Sequence, residues 1–356
     1  MTSIASEQPL VSIICFCKDR AATIRRCVDS VLGQGYRRLE FLVQDGASTD
    51  GTLEILQAYG DPRVKIVSAK DSGPAEAFWK VMRRCEGDII GTCLSDEELL
   101  PGVIEMAVGT FRREPSLGAM TCDGYITGPE GTITGEFNAG EFDLVDYLFG
   151  AYCPFWPGSF FRRQALLDVG LHTHQWTIEC LEFETWCRLG TMHHVRHVPV
   201  RVSKYAVHPT QLSNTARHFH EHFDNRTRVI RSMFSAEGFF GRDDVKLTAC
   251  LYHQLYLLYN HVRAYKMADQ QALLADRMRE LVAQVPREEY PRYRLYFDFL
   301  DRPLATAANP SVRDRPRFSP ALYADIAAAY ARHGHTEEAE RLRRKAALKG
   351  GAPPAD

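Results

Sequence analysis

The sequence lacks any long apolar run and any strong excess of one charge. No window approaches the roughly 18 uninterrupted apolar residues that a membrane-spanning helix needs. Residues 1–9 have neither a basic start nor an apolar core, so we expect no signal peptide. A formal net charge of −2 gives no reason to expect nucleic acid as a partner. With the ten cysteines interpreted as reduced thiols, these absences favour a cytoplasmic protein.

The chain is otherwise ordinary in composition and long enough for two cores. It has 356 residues, of which 45% are hydrophobic and 25% charged, which is typical of globular proteins. Short strand patterns alternate with helix patterns before Thr215, and no strand pattern survives after it. Basic residues also come to outnumber acidic ones beyond that point. We therefore predict an α/β domain over residues 1–214 and a helical domain over residues 215–356.

The first domain begins with a regular repeat of strands and helices. Apolar, β-branched runs predict strands at residues 11–17, 39–44, 64–68 and 88–94, with helices at 22–33, 52–59 and 75–85. Further strands are predicted at 118–126, 132–136, 158–163 and 195–207, with a helix at 164–169. This alternation indicates an α/β fold with a mostly parallel sheet and helices on both faces.

The second domain is predicted to contain helices at 219–235, 245–265, 269–285 and 290–300, followed by a helical pair at 321–349. Ala327, Tyr330, Gly334, Ala339 and Ala346 give the last pair the spacing of one tetratricopeptide unit, although a helical hairpin without repeat ancestry explains it equally well. The arginine-rich helices are compatible with binding a protein, with dimerisation, or with docking at the inner face of a membrane. The sequence does not choose among these.

Polar residues follow four of the predicted strands, where ligands collect in parallel sheets. These segments are Phe16 to Arg20, Asp45 to Thr52, Lys70 to Pro74 and Ser95 to Glu98. In the second segment, Asp50 could serve simply as a helix cap. In the fourth, Asp96, Glu97 and Glu98 are adjacent acids with no basic neighbour in sequence, which suits a divalent cation between them. A solvated acidic helix start is the alternative.

Several of these motifs, in this order, resemble family 2 glycosyltransferases. They are Val11-Ser12-Ile13-Ile14, Asp19-Arg20-Ala21, Ser30-Val31-Leu32-Gly33-Gln34, Asp45-Gly46-Ala47-Ser48-Thr49-Asp50-Gly51-Thr52, Gly87-Asp88-Ile89-Ile90-Gly91, Ser95-Asp96-Glu97 and Pro101-Gly102. The resemblance covers the first domain and implies a GT-A fold. It also implies a nucleoside-diphosphate-sugar donor and a Mn²⁺ or Mg²⁺ ion.

The resemblance assigns roles to individual residues. Asp45 would hydrogen-bond the base, and Asp71 would lie beside the nucleoside. The segment with Phe16, Lys18 and Asp19 would line the nucleoside pocket. Asp96 would contact the ribose or the metal, Glu97 would be the main metal ligand, and His208 would complete the metal shell.

Several positions depart from the family pattern, among them Glu182, where the family has an Asp, and three positions that concern the donor and the metal. Lys18 stands where many members stack a tyrosine on the base, Leu94 stands where an Asp or Asn is usual, and Glu97 is one methylene longer than the usual Asp. The departure at Lys18 puts the identity of the donor base in doubt, and those at Leu94 and Glu97 affect where an ion would lie.

Inverting sugar transfer also needs a base that accepts the acceptor's hydroxyl proton. In the predicted helix over residues 179–189, Glu184 pairs with Arg188 at i,i+4 spacing, which favours Glu182 over Glu184 as the base. The resemblance places the base at Glu182 as well. Trp156 would be either a platform for an acceptor sugar or an aromatic core contact, and Glu184 would lie on the acceptor side.

The predicted function is inverting transfer of a sugar to a hydroxyl of a glycan, a lipid-linked sugar or a protein. The helical tail is also compatible with homo-oligomerisation. A nucleotidyltransferase would need a glycine-rich phosphate loop after the first strand, and residues 16–21 contain no glycine. A non-catalytic scaffold that acts through the helical tail is the remaining alternative.

Overall fold

The computed structural model describes residues 8–149, 156–170, 181–208, 219–264, 268–289 and 320–350. The chain divides into two compact units. The first combines Met1–Phe142 with Cys153–Phe219, and the second combines Asp143–Tyr152 with His220–Asp356. The domain boundary at residues 214 and 215 stays a prediction, and the second unit includes a segment from well before that point.

A nine-stranded sheet organises the first unit. Its strands are β1 (Val11–Cys17), β2 (Leu39–Asp45), β3 (Val64–Ser68), β4 (Ile89–Thr92), β5 (Glu97–Leu99), β6 (Leu117–Thr127), β7 (Ile133–Phe137), β8 (Phe160–Arg162) and β9 (His194–Ala206). The order is β3-β2-β1-β4-β8-β6-β9-β5, with β7 paired to β6. Strands β1 to β4 pair in parallel, as does β6 with β9, whereas β8 and β5 bring antiparallel pairings.

The helices of the first unit are α1 (Ile24–Leu32), α2 (Thr52–Gln57), α3 (Pro74–Met82), α4 (Val103–Arg113), α6 (Arg163–Asp168) and α7 (Leu181–Met192). Helix α1 buries Ile24, Cys27, Val28 and Val31, which recur at helical spacing and pack into the core on β1. The expected α/β GT-A fold with a following helical region is confirmed. The mostly parallel character that we predicted applies to β1 to β4 and to the β6–β9 pair, whereas β5, β7 and β8 pair antiparallel.

The second unit contains α5 (Leu144–Phe149), α8 (Phe219–Met233), α9 (Asp244–Ala264), α10 (Ala268–Ala283), α11 (Pro320–Arg332) and α12 (Thr336–Gly350). Helices α11 and α12 form the expected hairpin, in which Ala327, Tyr330 and Ala339 are buried and Gly334 adopts φ +79° in the turn. The helix predicted at 290–300 lies outside the described residues. None of the described helices is both long enough and apolar enough to cross a bilayer.

Candidate active site

The loops that follow β1 and β2 are tied together by reciprocal hydrogen bonds. The Asp19 amide donates to Ser48 Oγ (2.8 Å), and the Thr49 amide donates to Asp19 Oδ1 (2.9 Å). Asp50 accepts a hydrogen bond from the Ala21 amide at 2.9 Å, so it joins the two loops. The N-cap position of α2 is occupied by Gly51 and not by Asp50. Asp19 and Ala47 both have positive φ, at 52° and 59°. Strained backbone held in place by a surrounding network is common at binding sites.

Asp45 lies at the base of these loops and is fully buried. Its carboxylate accepts hydrogen bonds from the Ser48 amide (3.1 Å), the Ser48 hydroxyl and the Ser68 hydroxyl (2.6 Å). Asp45 therefore orients the β2 loop and connects it to the end of β3. Its predicted contact with a donor base is not tested by these bonds and stays a prediction.

Lys18 and Asp71 lie on either side of Gly46. A methyl group on Gly46 would come within 2.9 Å of Asp71 Oδ2 and within 3.2 Å of Lys18 Cβ. The other Asp71 oxygen accepts from the Gly73 amide (3.0 Å), which fixes the orientation of the carboxylate. Phe16, which is half-buried, meets Phe78 edge to face with the ring centroids 6.2 Å apart. The structure thus places the predicted nucleoside-binding residues at one end of the parallel strands, and Gly46 keeps the space between Lys18 and Asp71 open.

The acidic segment after β4 contains a buried carboxylate. Glu97 is 2% exposed, and its Oε2 accepts from the Leu94 amide at 2.9 Å. Burial raises the pKa of Glu97 well above its usual value, and the nearby charges of Asp96 and Glu182 raise this pKa further. Asp96 and Glu182 therefore both lie within electrostatic reach of Glu97, although Glu182 is remote in sequence.

Contacts with α1 and β9 hold this segment, and sequence analysis missed them. The Ser30 hydroxyl accepts from the Leu99 amide (3.0 Å), and the Gln34 side chain donates to the Leu100 carbonyl (2.9 Å). Glu98 faces away from Glu97 and lies 3.5 Å from Arg26 and 3.6 Å from Lys204. The family-like Ser30 to Gln34 motif was the available signal, since its polar side chains serve the acidic segment.

The pairing of β5 with β9 brings His208 to Asp96. The Ala206 amide donates to the Asp96 carbonyl (3.0 Å), and two residues later His208 Nε2 lies 3.4 Å from Asp96 Oδ2. Residues 209–213 lie outside the described residues. Asp96 and His208, two members of the predicted metal shell that are distant in sequence, are therefore adjacent.

The predicted metal ligands are chemically suited to a divalent metal, but they do not form a complete site on their own. Carboxylate oxygens and an imidazole are suitable ligands for Mn²⁺, and carboxylates for Mg²⁺. The buried, uncompensated carboxylate of Glu97 would be stabilised in its ionised form by a cation. Within the described ranges, however, no three His, Cys, Asp or Glu residues are arranged to hold a metal by themselves. Magnesium sites commonly combine one or two carboxylates with substrate phosphates, and the residues present fit that type.

Helix α7 carries the two candidate acceptor-side acids. Glu184 is 5% exposed and accepts from Arg188 Nε at 2.9 Å, which confirms the predicted i,i+4 pair. Phe183, Trp186 and Cys187 are buried, as predicted. Glu182 is half-buried one turn from Trp186, and its charge acts on Glu97. Residues 179 and 180 lie outside the described residues.

Trp156 belongs to an aromatic cluster beside α7. Its ring centroid lies 5.5 Å from that of Phe161 and 6.1 Å from that of Trp186. The Trp156 carbonyl accepts from the Thr92 hydroxyl at 2.9 Å, which fixes the residue to the end of β4. The ring is half-buried, so a core contact is present and stacking on a sugar stays a prediction.

Known proteins resemble this chain in sequence. Residues 12–170 match the family described as "Glycosyl transferase family 2". Chondroitin synthase of Escherichia coli is 39% identical over 114 residues, which is 32% of this chain and 17% of that protein. The chain spans 14–17% of the length of the first curated relatives that it matches.

Solved structures resemble the chain over nearly all its length. S. aureus TarS 1–349, solved with UDP-GlcNAc, superposes with a TM-score of 0.57, at 14% identity, over 97% of this chain and 93% of that one. Mannosyltransferase PcManGT from Pyrobaculum calidifontis, solved with GDP-Man and Mn²⁺, gives 0.50 at 18% identity over 97% and 87%. At such identities these likenesses establish the fold alone. Residues 12–170 are thus the part of the chain that matches family 2 glycosyltransferases, and the solved structures agree with that match in fold.

Proposed function

We propose that the chain transfers a sugar from a nucleoside-diphosphate donor to a hydroxyl of a growing polysaccharide, with inversion at the anomeric carbon. One observation carries the proposal: the carboxylate of Glu97 is buried at the strand ends within electrostatic reach of Asp96 and Glu182. A buried carboxylate whose pKa is raised by two further acids suits a site that receives a cation together with a donor phosphate. The chondroitin synthase relative is the basis for proposing a polysaccharide acceptor.

In this proposal the donor nucleoside lies against the loops after β1 to β3. Lys18 and Asp71 flank it at Gly46, and Asp45 holds the β2 loop in position. Lys18, which is exposed, replaces an aromatic platform with a cation, so it suits the diphosphate or a base carbonyl better than stacking. The neighbours solved with UDP-GlcNAc and GDP-Man support a nucleotide sugar and leave the base open.

Glu97, Asp96 and His208 would hold Mn²⁺ or Mg²⁺ together with the donor diphosphate. A bound divalent ion would neutralise charge that develops on the departing nucleoside diphosphate. Leu94 contributes its backbone amide, which orients the Glu97 carboxylate. The longer side chain of Glu97 thus has a defined position, although the usual acidic residue at position 94 is absent.

Glu182 is proposed to accept the proton of the acceptor hydroxyl. The hydroxyl oxygen then bonds to the anomeric carbon as the nucleoside diphosphate leaves. Glu184 is engaged by Arg188, which suits it to holding the helix in place. Trp156 is proposed to border the acceptor sugar. The scaffold alternative is not favoured, because residues 12–170 match the glycosyltransferase family and Glu97, Asp96 and Glu182 supply carboxylates for the proposed roles.

A thermal-shift screen of UDP, GDP and dTDP, each with and without Mn²⁺, tests the donor assignment. We expect one diphosphate to raise the melting temperature only with the metal. Donor hydrolysis with that nucleotide's sugars, measured with and without oligosaccharide acceptors, then tests transfer. Absence of any nucleotide-dependent shift would contradict the proposal and restore the scaffold alternative.

A further inference from the structure

A cavity of about 200 Å³ lies on the first unit at a distance from the strand ends that form the proposed active site. Its walls come from α3, the first half of β4, and α6. Trp79, Ile90 and Leu166 form a buried interior, each at most 3% exposed. An apolar cavity of about 150 Å³ is already large enough to bind benzene. This cavity can therefore receive an apolar group the size of one ring or a short alkyl chain.

Two arginines stand at the edge of the cavity, and both are exposed. Arg83 ends α3, and Arg163 begins α6. Arg163 Nε donates to the Cys85 carbonyl at 3.1 Å, which fixes its side chain beside the opening. Neither guanidinium forms a salt bridge within the part of the chain that the structure describes. Two unneutralised guanidinium groups above an apolar cavity complement a small molecule with an anionic head and an apolar end.

We propose that this cavity binds a soluble, phosphate-bearing amphiphile, with its phosphate on Arg83 and Arg163 and its apolar end against Trp79 and Leu166. A membrane lipid is a poorer match, because its chains stay in the bilayer and only its phosphate faces the protein. In this cavity the apolar end of the ligand must enter the protein, and the phosphate must stay at the edge. The size of the cavity also limits the apolar end to a short group.

The proposed ligand would lie close to the acceptor side of the domain. Met82, Ile90 and Leu166 also border a void of about 10 Å³ that reaches Trp156 and Thr185. Thr185 lies on α7 between Glu184 and Trp186. The cavity therefore borders residues that pack beneath α7, and it is separate from the loops proposed to bind the donor.

Calorimetric titration with hexyl phosphate tests the proposal, with hexanol and inorganic phosphate as the matched halves of the probe. We expect one saturable site per chain for hexyl phosphate, and at least about tenfold weaker binding of each half, because each lacks one set of contacts. Tryptophan fluorescence should change in parallel, since Trp79 lines the cavity. The titration needs no donor, so its failure would leave the proposed transferase function untouched.

Variants locate the site. Arg83→Gln should weaken hexyl phosphate binding about tenfold, since it removes one charge-assisted contact. Leu167→Phe should weaken it by filling the cavity. Arg112→Gln, an exposed arginine at the end of α4, should bind like the wild type. Equal binding of hexanol, equal binding of phosphate, no saturable binding, or an unchanged affinity in Arg83→Gln would each overturn the proposal. Unchanged circular dichroism and melting temperature establish that the variants are folded.

Discussion

His208 Nε2 and Asp96 Oδ2 lie 3.4 Å apart, although the two residues are distant in sequence. The proximity follows from the antiparallel pairing of β5 with β9, in which Glu97 is the partner of Tyr205. A three-residue strand thus aligns the acidic segment with the last strand of the sheet. Substitutions in this segment should therefore affect donor binding more than folding.

Glu97→Gln should reduce donor hydrolysis about 100-fold or more, because the proposed metal ligand and its charge are lost. The same change should raise the melting temperature without metal or nucleotide, since it removes a buried charge beside Asp96. Glu98→Gln is the matched control: it changes the adjacent acid, which faces Arg26 and Lys204. Equal loss of hydrolysis in both variants would contradict a specific role for Glu97.

Glu182→Gln should lower kcat by about 10²- to 10⁴-fold and leave nucleotide binding intact, as expected for loss of a general base. Glu184→Gln loses the pair with Arg188 and should cost about 0.5 kcal/mol of stability, with a much smaller effect on kcat. Steady-state kinetics and nucleotide titration on both variants separate the two roles. If Glu184→Gln has the larger kcat defect, the base has been assigned to the wrong acid.

Gly46→Ala should weaken nucleotide binding at least about tenfold, because the added methyl group would displace Asp71 or Lys18. Gly128→Ala is a suitable control, since the nearest atom to its added methyl group would be 4.0 Å away. Both variants should melt close to the wild type. Wild-type nucleotide affinity in Gly46→Ala would remove Lys18 and Asp71 from the donor site.

In the second unit, Asp143 should make the free energy of unfolding depend on pH in the acidic range. It is fully buried, with Lys345 Nζ at 2.6 Å and Arg341 Nη1 at 3.3 Å. Burial alone would raise the pKa of Asp143, but the charges of Arg341 and Lys345 outweigh it and hold this pKa below its usual value. The stabilisation is therefore complete above the unfolded pKa of about 3.9 and is lost as the pH falls through the lower, folded pKa.

Asp143→Asn should remove this acid dependence and destabilise the helical unit by about 3 kcal/mol at neutral pH, because two cations lose their buried partner. Glu340 forms an exposed ion pair with Arg344 on α12, the helix that also carries Arg341 and Lys345. Glu340→Gln should therefore change stability by less than about 1 kcal/mol. Denaturant unfolding of each variant at pH 7 and pH 3.5 provides the comparison. Identical acid sensitivity of wild type and Asp143→Asn would show that other carboxylates cause it.

Local patterns predicted much of the fold and only part of the site. The strands at 11–17 and 64–68 were predicted to the residue, because apolar, β-branched residues favour the extended backbone of a strand. The Glu184–Arg188 pair was predictable because it lies within one helical turn. Strand β5 was not predicted, since its partner β9 is distant in sequence and its acids do not resemble a strand. The close approach of Lys18 and Asp71 to Gly46 depends on side chains from two other loops, which no local pattern specifies.

Helix α5 makes the order of synthesis matter for folding. Its backbone carbonyls at Tyr147 and Leu148 accept hydrogen bonds from Gln254 on α9, and Asp146 accepts from Tyr323 on α11. Its apolar side chains therefore leave the ribosome long before the helices that cover them exist. During that interval they are available to chaperones or to self-association. A chain shortened after Phe219 would keep that exposed segment permanently, so the catalytic half should be isolated with its helical region attached.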